Sequence, residues 1–262
     1  MKPNISIITI CFNNPDDVRR TIESVDTQTL LPHEHYIIDG SENQKILHLL
    51  QNQSYIKSYR KSVHEPDNGI SDAFNKGIHK ANGNWIMMLN AGDRFYDNNS
   101  LEKIHNAIQN NPAALWMHGK YQLIRGGQKV IIGKTHEPSK VYRGMRSICH
   151  QSMVVHRTLY EKHGLYNIRQ KFGMDYDFLL RIRNEPFYFL PEPVIDYDEK
   201  GISSTQYLAS LKQTESIYQT YFGKSVKQQL WQWRLKILFH LLHSPIGRLL
   251  YKLKTSLKLE NM

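Results

Sequence analysis

The chain has 262 residues, 40% hydrophobic and 22% charged, the profile of a soluble globular protein with room for one sizeable α/β domain plus an appendage. Its two cysteines, Cys11 and Cys149, argue against a disulfide framework and read as small buried thiols in a reducing compartment. The net charge of +10 is unevenly spread: Val226 to Lys258 holds Lys227, Arg234, Lys236, Arg248, Lys252, Lys254 and Lys258 and no acid, leaving about +3 for the rest.

The basic signal therefore belongs to the tail, which argues against a nucleic-acid-binding core. Met1 to Asn4 runs directly into an apolar strand, without a basic leader and cleavage site, so no signal peptide is expected. No run of 18 or more apolar residues is present, so no spanning helix is expected.

Ile5–Ile10 is a β-branched run suited to a central parallel strand. Asn14 before Pro15, Asp16 and Asp17 predicts a helix start, with Val18, Ile22 and Val25 on the buried face. His35–Ile38 predicts a second strand, ended by Asp39, Gly40 and Ser41, and a helix is predicted around Gln44–Gln51. This βαβα opening implies a parallel, doubly wound sheet. Phe12 and Asp39 then follow the first two strands. Phe12 is a ring that could stack on a base or simply pack, and Asp39 a carboxylate for a base or ribose, or for a local turn.

The stretch His64–Phe95 predicts a loop, a helix, a buried strand and a polar turn. Ile70, Ala73, Phe74, Gly77, Ile78 and Ala81 follow the helical period, while Asp72, Asn75, Lys76 and His79 share the opposite face. Gly83 is placed to stop that helix. Trp85–Leu89 suits a strand covered on both faces. Asn90, Ala91, Gly92 and Asp93 emerge from its carboxyl end, the edge at which open α/β sheets bind ligands.

Farther on, Ser100–Asn110 predicts a helix and Ala113–His118 a strand, and Tyr121–Ile132 predicts a hairpin added antiparallel to the sheet. His136–Met145 has little periodicity and is expected to be a mobile loop. Ile148–Val155 predicts a strand with His150 and Gln151 near its start. A short helix over Thr158–His163 is closed by Gly164. Asp175 precedes a helix that buries Phe178, Leu179 and Ile182, Phe187–Leu190 is a short strand, and Gly201–Ser204 a small-residue turn.

In the tail, Trp231, Leu235, Leu238 and Leu242, then Leu249, Leu250, Leu253 and Leu257 beyond Pro245, form apolar stripes flanked by basic residues. That pattern suits a helix lying on an anionic membrane surface. A helix that packs on the main domain or mediates a homodimer has the same pattern. The predicted division is 1–222 for the main domain and 223–262 for the basic helical tail.

Six segments in order, ISIITICFNN, IIDGS, EPDNGISDAFNKGI, MMLNAGDRF, ICHQSMVVHR and GMDYDFLLRI, cover roughly residues 4 to 204. Through them the chain resembles the family 2 inverting glycosyltransferases of bacterial polysaccharide assembly. The resemblance implies an α/β GT-A fold, a Rossmann-like, mostly parallel sheet with antiparallel additions. It implies sugar transfer from a nucleotide-diphosphate donor, a uridine one by family habit, to a hydroxyl of a polyprenyl-diphosphate-linked saccharide. Such enzymes build capsule, O-antigen or exopolysaccharide at the inner face of the cytoplasmic membrane.

Carried over by position, Thr9, Phe12, Asn13 and Asp39 would contact the nucleotide, with Asp67, Gly69, Asp72, Asn90 and Gly92 lining the diphosphate-sugar pocket. Asp93 would hold a divalent metal, Mg²⁺ or Mn²⁺, and Asp175 would be the catalytic base. His150 and Gln151 match a His-Gln element beside the acceptor or diphosphate. Two positions depart from the pattern. Ala91 stands where the D-x-D motif has its first carboxylate, a loss Mg²⁺ tolerates because one or two carboxylates plus substrate phosphates can hold it. Met174 stands where relatives have Glu or Ala, so Asp175 has one fewer acidic neighbour. The missing carboxylate also admits a non-catalytic scaffold with a degenerate GT-A site. A sugar nucleotidyltransferase would need a glycine-rich basic loop after the first strand, and CFNNPDD is neither.

Overall fold

The computed structural model describes residues 4–125, 127–145, 148–198 and 206–245, together with Gly247. The predicted Gly201–Ser204 turn and the second tail stripe, Leu249 to Leu257, lie outside the described residues.

Strand β1 (Ile5–Cys11) leads through helix α1 (Pro15–Asp26) to β2 (Glu34–Asp39) and the short α2 (Lys45–Leu50). Then come β3 (Arg60–His64), α3 (Ile70–Lys80) and β4 (Trp85–Met88). The two-residue β5 (Arg94–Phe95) precedes α4 (Ser100–Asn110) and the hairpin of β6 (Trp116–Arg125) and β7 (Gln128–Ile132). Strand β8 (Met153–His156), α5 (Arg157–His163), α6 (Met174–Ile182) and β9 (Phe187–Asp196) follow, and α7 (Tyr207–Phe222) and α8 (Val226–His243) end the described chain.

One sheet runs β3-β2-β1-β4-β8-β6-β9-β5, with β7 paired to β6. β1, β2, β3 and β4 are parallel, whereas β8 lies antiparallel between β4 and β6. Alternation along the strands splits the core between the two faces. Ile8, Ile38, Ile86 and Met88 meet Phe74, Ile78 and Phe178 of α3 and α6 on one face. Ile7, Met87 and Val154 meet Leu101 and Ile104 of α4 on the other. Val18 and Ile22 of α1 pack with Ile37 and Ile46.

Four elements differ from the sequence expectation. β3 is an extra parallel strand whose RKSVH sequence has no apolar run; it sits at the sheet edge, where only one neighbour shapes it. β9 runs ten residues, through Pro191 and Pro193. Its register with β6 shifts between Gly119 and Tyr121, and this irregularity accommodates residues that cannot donate to a ladder. The 136–145 segment, expected to be a mobile loop, is anchored. It forms a 3-10 turn over Pro138–Arg143, Val141 is buried and accepts a 2.6 Å bond from the Tyr176 hydroxyl, and His136 Nε2 lies 3.0 Å from the Arg183 carbonyl. His150 and Gln151 belong to a 3-10 turn, His150–Ser152, that precedes β8.

Gly83 does not stop α3, which ends at Lys80. A Cβ at Gly83 would lie 2.4 Å from Ser6 Oγ and 2.6 Å from the Asn4 carbonyl, so glycine is required by close approach to β1. The same turn is gripped by Glu34. Burial alone would raise this carboxyl, but the Asn82 N–H, the Ser6 hydroxyl and the Lys61 ammonium hold it at about 2.

Candidate functional site

The predicted site residues fall into two neighbouring groups at the carboxyl edge of β1, β2 and β4. The first surrounds β1 and β2. Phe12 is 61% exposed at the rim, where a ring is open to stack on a flat ligand. Asn13 takes φ 57°, and its N–H donates to Ser41 Oγ at 2.8 Å. Asp39 is buried: Oδ1 accepts from the Ser41 N–H at 3.0 Å, and Oδ2 pairs with His64 Nδ1 at 2.8 Å. Asp67 lies over Gly40, where a Cβ would stand 2.1 Å from Asp67 Oδ2. Burial raises the Asp67 carboxyl against the pull of Lys76, whose Nζ is 2.8 Å away. Gly69 caps α3 with φ 102°, and Asp72 Oδ2 accepts from the Asn68 N–H at 2.9 Å, closing the loop onto the helix.

Thr9 is the exception. It is fully buried, donates to the Leu89 carbonyl at 2.7 Å and lies 2.9 Å from His35 Nε2, so it fastens β1 to its neighbours and does not reach the surface that Phe12 borders. On the polar face of α3, Asn75 is likewise committed to structure. Asn75 exchanges two hydrogen bonds with the Tyr166 backbone, at 2.9 and 3.0 Å.

The second group lines a cleft of about 430 Å³ in which Asn90, Asp93, His150, Gln151 and Asp175 meet. The Asn90–Asp93 turn is moored by a residue the sequence reading passed over. Thr21, fully buried in α1, donates to the Asp93 carbonyl at 2.8 Å and accepts from the Gly92 N–H at 3.0 Å. Gly92 has φ 102°, which favours glycine there. Because β8 is antiparallel to β4, its first residues adjoin the last residues of β4. That direction puts His150 and Gln151 beside Asp93.

Asp93 is 4% exposed. Burial first, then the carboxylates of Asp198 and Asp196, push it up to about 8 against the opposing Asp198 N–H and Gln151 amide. His150 is held by the Tyr166 hydroxyl at 2.7 Å, and burial keeps its imidazole below the usual range despite Asp175 nearby. Asp175 sits in the first turn of α6 and accepts the Tyr176 N–H at 2.8 Å. Its neighbour Asp177 is structural: it receives the Tyr221 hydroxyl at 2.8 Å and pairs with Arg181 at 3.1 Å. Cys11 and Cys149 are buried free thiols, pushed well up by burial.

The cleft also contains Asp17, Lys171, Tyr197 and Asp198. No motif marks them. Asp198 follows the end of β9 and reaches the cleft only through the sheet order. Among the described residues no group of three His, Cys, Asp or Glu side chains is arranged to hold a metal ion. The turn nevertheless suits a hard cation. Asn90 Oδ1 is buried without a hydrogen-bond partner, and the oxygen donors beside it are those that Mg²⁺ and Mn²⁺ accept.

The parallel sheet, its antiparallel insertion and a cleft at the strand ends define an open α/β scaffold with its ligand edge at the carboxyl ends of the strands. The chain belongs to glycosyl transferase family 2, whose sequence profile matches residues 6–164. An uncharacterized glycosyltransferase of Mycobacterium tuberculosis is 30% identical over 211 residues, 77% of this chain and 78% of the relative. A PGL/p-HBAD biosynthesis glycosyltransferase of Mycobacterium bovis is 26% identical over 208 residues, 78% of this chain and 80% of its own.

Among solved structures, S. aureus TarS 1-349 in complex with UDP-GlcNAc superposes with a TM-score of 0.60 at 11% identity, covering 87% of this chain and 70% of that one. The mannosyltransferase PcManGT from Pyrobaculum calidifontis, in complex with GDP-Man and Mn²⁺, does so with a TM-score of 0.63 at 12% identity, covering 100% of this chain and 82% of that one. The fold is GT-A, as the sequence resemblance implied.

Proposed function

We propose that the protein is an inverting glycosyltransferase that moves a sugar from a nucleotide diphosphate, a uridine one in the first instance, to a saccharide hydroxyl. The observation that carries this reading is that Asp93 and Asp175, far apart in sequence, line one cleft at the carboxyl edge of the sheet. The exposed Phe12 ring stacks on the base, Asn13 and Asp39 border it, and Asp67, Gly69 and Asp72 shape the loop over the diphosphate sugar. Asp93, with Asn90 and Gly92 beside it, would hold the divalent metal. That ion, when bound, neutralises charge on the departing diphosphate. Asp175 takes the acceptor hydroxyl's proton as the oxygen attacks the anomeric carbon. The bond from that carbon to the diphosphate oxygen breaks with its electron pair leaving on the oxygen. A single displacement of this kind inverts the carbon. His150 and Gln151 orient the reacting groups.

A panel of sugar nucleotides screened by thermal shift, with and without Mn²⁺, tests the reading. Stabilisation by a sugar nucleotide, together with its slow metal-dependent hydrolysis without acceptor, supports the enzyme. Binding without any hydrolysis favours the scaffold reading. Asp93→Ala is expected to weaken Mn²⁺-dependent binding of the nucleotide diphosphate by more than about tenfold, since even outer-shell partners of a metal ligand are worth 10–100-fold. Unchanged affinity in titration calorimetry would remove the metal from Asp93.

The reading extends to residues 223 onward as a basic appendage that seats the enzyme on the inner face of the cytoplasmic membrane, within reach of a polyprenyl-diphosphate-linked acceptor. No described helix is long and apolar enough to cross a membrane. In the stripe expected to face lipid, Trp231, Leu235 and Leu238 are half-buried and Leu242 is exposed. Trp231 packs edge-on to Tyr142 at 6.4 Å, and Gln228, buried beside it on the same face, donates to the Glu215 carbonyl at 3.1 Å. A second stripe, Val226, Leu230, Trp233, Ile237 and Leu241, is exposed and recurs at helical spacing with Lys227 and Arg234 alongside. A basic amphipathic face of this kind binds anionic bilayers. Leu230→Glu with Trp233→Glu is expected to abolish flotation with phosphatidylglycerol vesicles while leaving the fold intact. If flotation persists, or if the wild type is instead a dimer that these changes dissociate, the lipid role is wrong.

A further inference from the structure

We infer that Asp198 is the second carboxylate of the metal site, standing in for the one that Ala91 lacks. This rests on the reading that Asp93 binds a divalent metal. The carboxylate absent from the turn has a replacement brought from the other end of the sheet. Asp198 leaves β9 two residues after Asp196, and its N–H donates to Asp93 Oδ1 at 2.9 Å, which fixes the two residues side by side. Its carboxylate reaches over the turn: a Cβ on Gly92 would lie 3.6 Å from Asp198 Oδ2 and 3.8 Å from Asp17 Cγ. Both Asp93 and Asp198 line the cleft, as does Asn90, whose buried Oδ1 has no partner. Arg20 stands only 3.6 Å from Asp198 Oδ2 and is shared with Asp17. It offsets part of the negative charge and is not among the residues that line the cleft.

Two carboxylates and a neutral oxygen, completed by donor phosphates, satisfy a Mg²⁺- or Mn²⁺-type ion. The arrangement also explains how the N-A-G-D turn can dispense with its first acid. Gly92 has no side chain, which leaves the space that Asp198 enters. A Cβ there would be in ordinary contact with the Asp198 carboxylate, and φ 102° is what favours glycine.

The test measures Mn²⁺ affinity in the presence of UDP by electron paramagnetic resonance, alongside UDP affinity without metal and thermal melting of each variant. Asp198→Asn is expected to lower Mn²⁺ affinity about 10–100-fold and to leave metal-free UDP affinity unchanged. Ala91→Asp in the Asp198→Asn background is expected to restore most of the loss. Arg20→Gln removes a competing cation and is expected to leave Mn²⁺ affinity equal or higher. If Arg20→Gln weakens Mn²⁺ as much as Asp198→Asn does, Asp198 acts only as the arginine's partner and the inference is overturned. It is overturned too if Asp198→Asn binds Mn²⁺ normally while Asp93→Asn does not. If both variants bind Mn²⁺ normally, the metal reading of Asp93 fails along with it.

Discussion

Asp175→Asn is expected to lower kcat for sugar transfer by about 10²–10⁴-fold, the usual worth of a positioned general base, with donor affinity unchanged. Asparagine keeps the shape of the side chain and an oxygen for the Tyr176 N–H, which Asp175 Oδ1 accepts at 2.8 Å. The first turn of α6 therefore still forms, and what is lost is the capacity to take a proton. The neighbouring acid serves as the control. Asp177 is tied to Tyr221 and Arg181, so Asp177→Asn should lower the melting temperature and leave the transfer rate of the folded fraction near normal. Single-turnover rates with the two variants, normalised to folded protein, separate chemistry from scaffold. A loss under tenfold for Asp175→Asn would place the base elsewhere in the cleft.

The second large effect is on acid stability. His35, His118 and His150 are buried, and burial holds each imidazole below the ordinary range: His35 well below, and His118 at about 3, with His136 adding to the effect. Above about pH 6.5 these groups are neutral in both the folded and the unfolded chain, and they make no pH-dependent contribution. As pH falls below that value the unfolded chain takes up protons that the folded chain refuses, so stability declines until the folded value is passed. Each such histidine contributes a slope of about 1.4 kcal/mol per pH unit. Denaturant melts from pH 7 to pH 4 should show that decline.

His118→Phe should make it shallower by about one proton. The neutral-pH stability should rise by about 1–3 kcal/mol, because His118 has both ring nitrogens buried without partners and a phenyl ring removes that cost. The ring still stacks against Trp116 and Phe187. An unchanged slope would mean that His118 gains a proton in the folded state.

Periodicity was enough for much of the scaffold. The apolar spacing of Val18, Ile22 and Val25 placed α1, that of Ala73, Phe74 and Ile78 placed α3, and the β-branched Ile5–Ile10 placed the central strand. These elements bury one face each, and that burial is what a local pattern records. Strand β3 was not legible, because RKSVH has no apolar alternation: Lys61 and Ser62 are exposed, Arg60 is buried through an ion pair with Asp26, and the strand's ladder partner is β2 alone. The extension of β9 was masked by Pro191 and Pro193, whose position opposite a register shift is a property of the pair of strands. At the site, Asp93 and Asp175, singled out by motif order, line one cleft, whereas the Thr9 hydroxyl, expected at the ligand surface, is spent on Leu89 and His35. Asp198 carries no local signal at all. A lone acid after a strand acquires meaning only when the sheet order sets it beside another.

The reversed direction of β8 has a practical side for engineering. Since its first residues adjoin the end of β4, chain upstream of it, between Ile132 and His150, feeds into the cleft wall at Met145 and Ile148. Chain downstream of it, in α5, leads away. A chimera that exchanges only the upstream segment therefore redraws the wall next to Asp175 while the N-terminal edge with Phe12, Asp39 and Asp67 keeps its own contacts. On the proposed reading of Asp175 as the base, such a short graft is expected to alter acceptor preference and to leave sugar-nucleotide affinity as it stands.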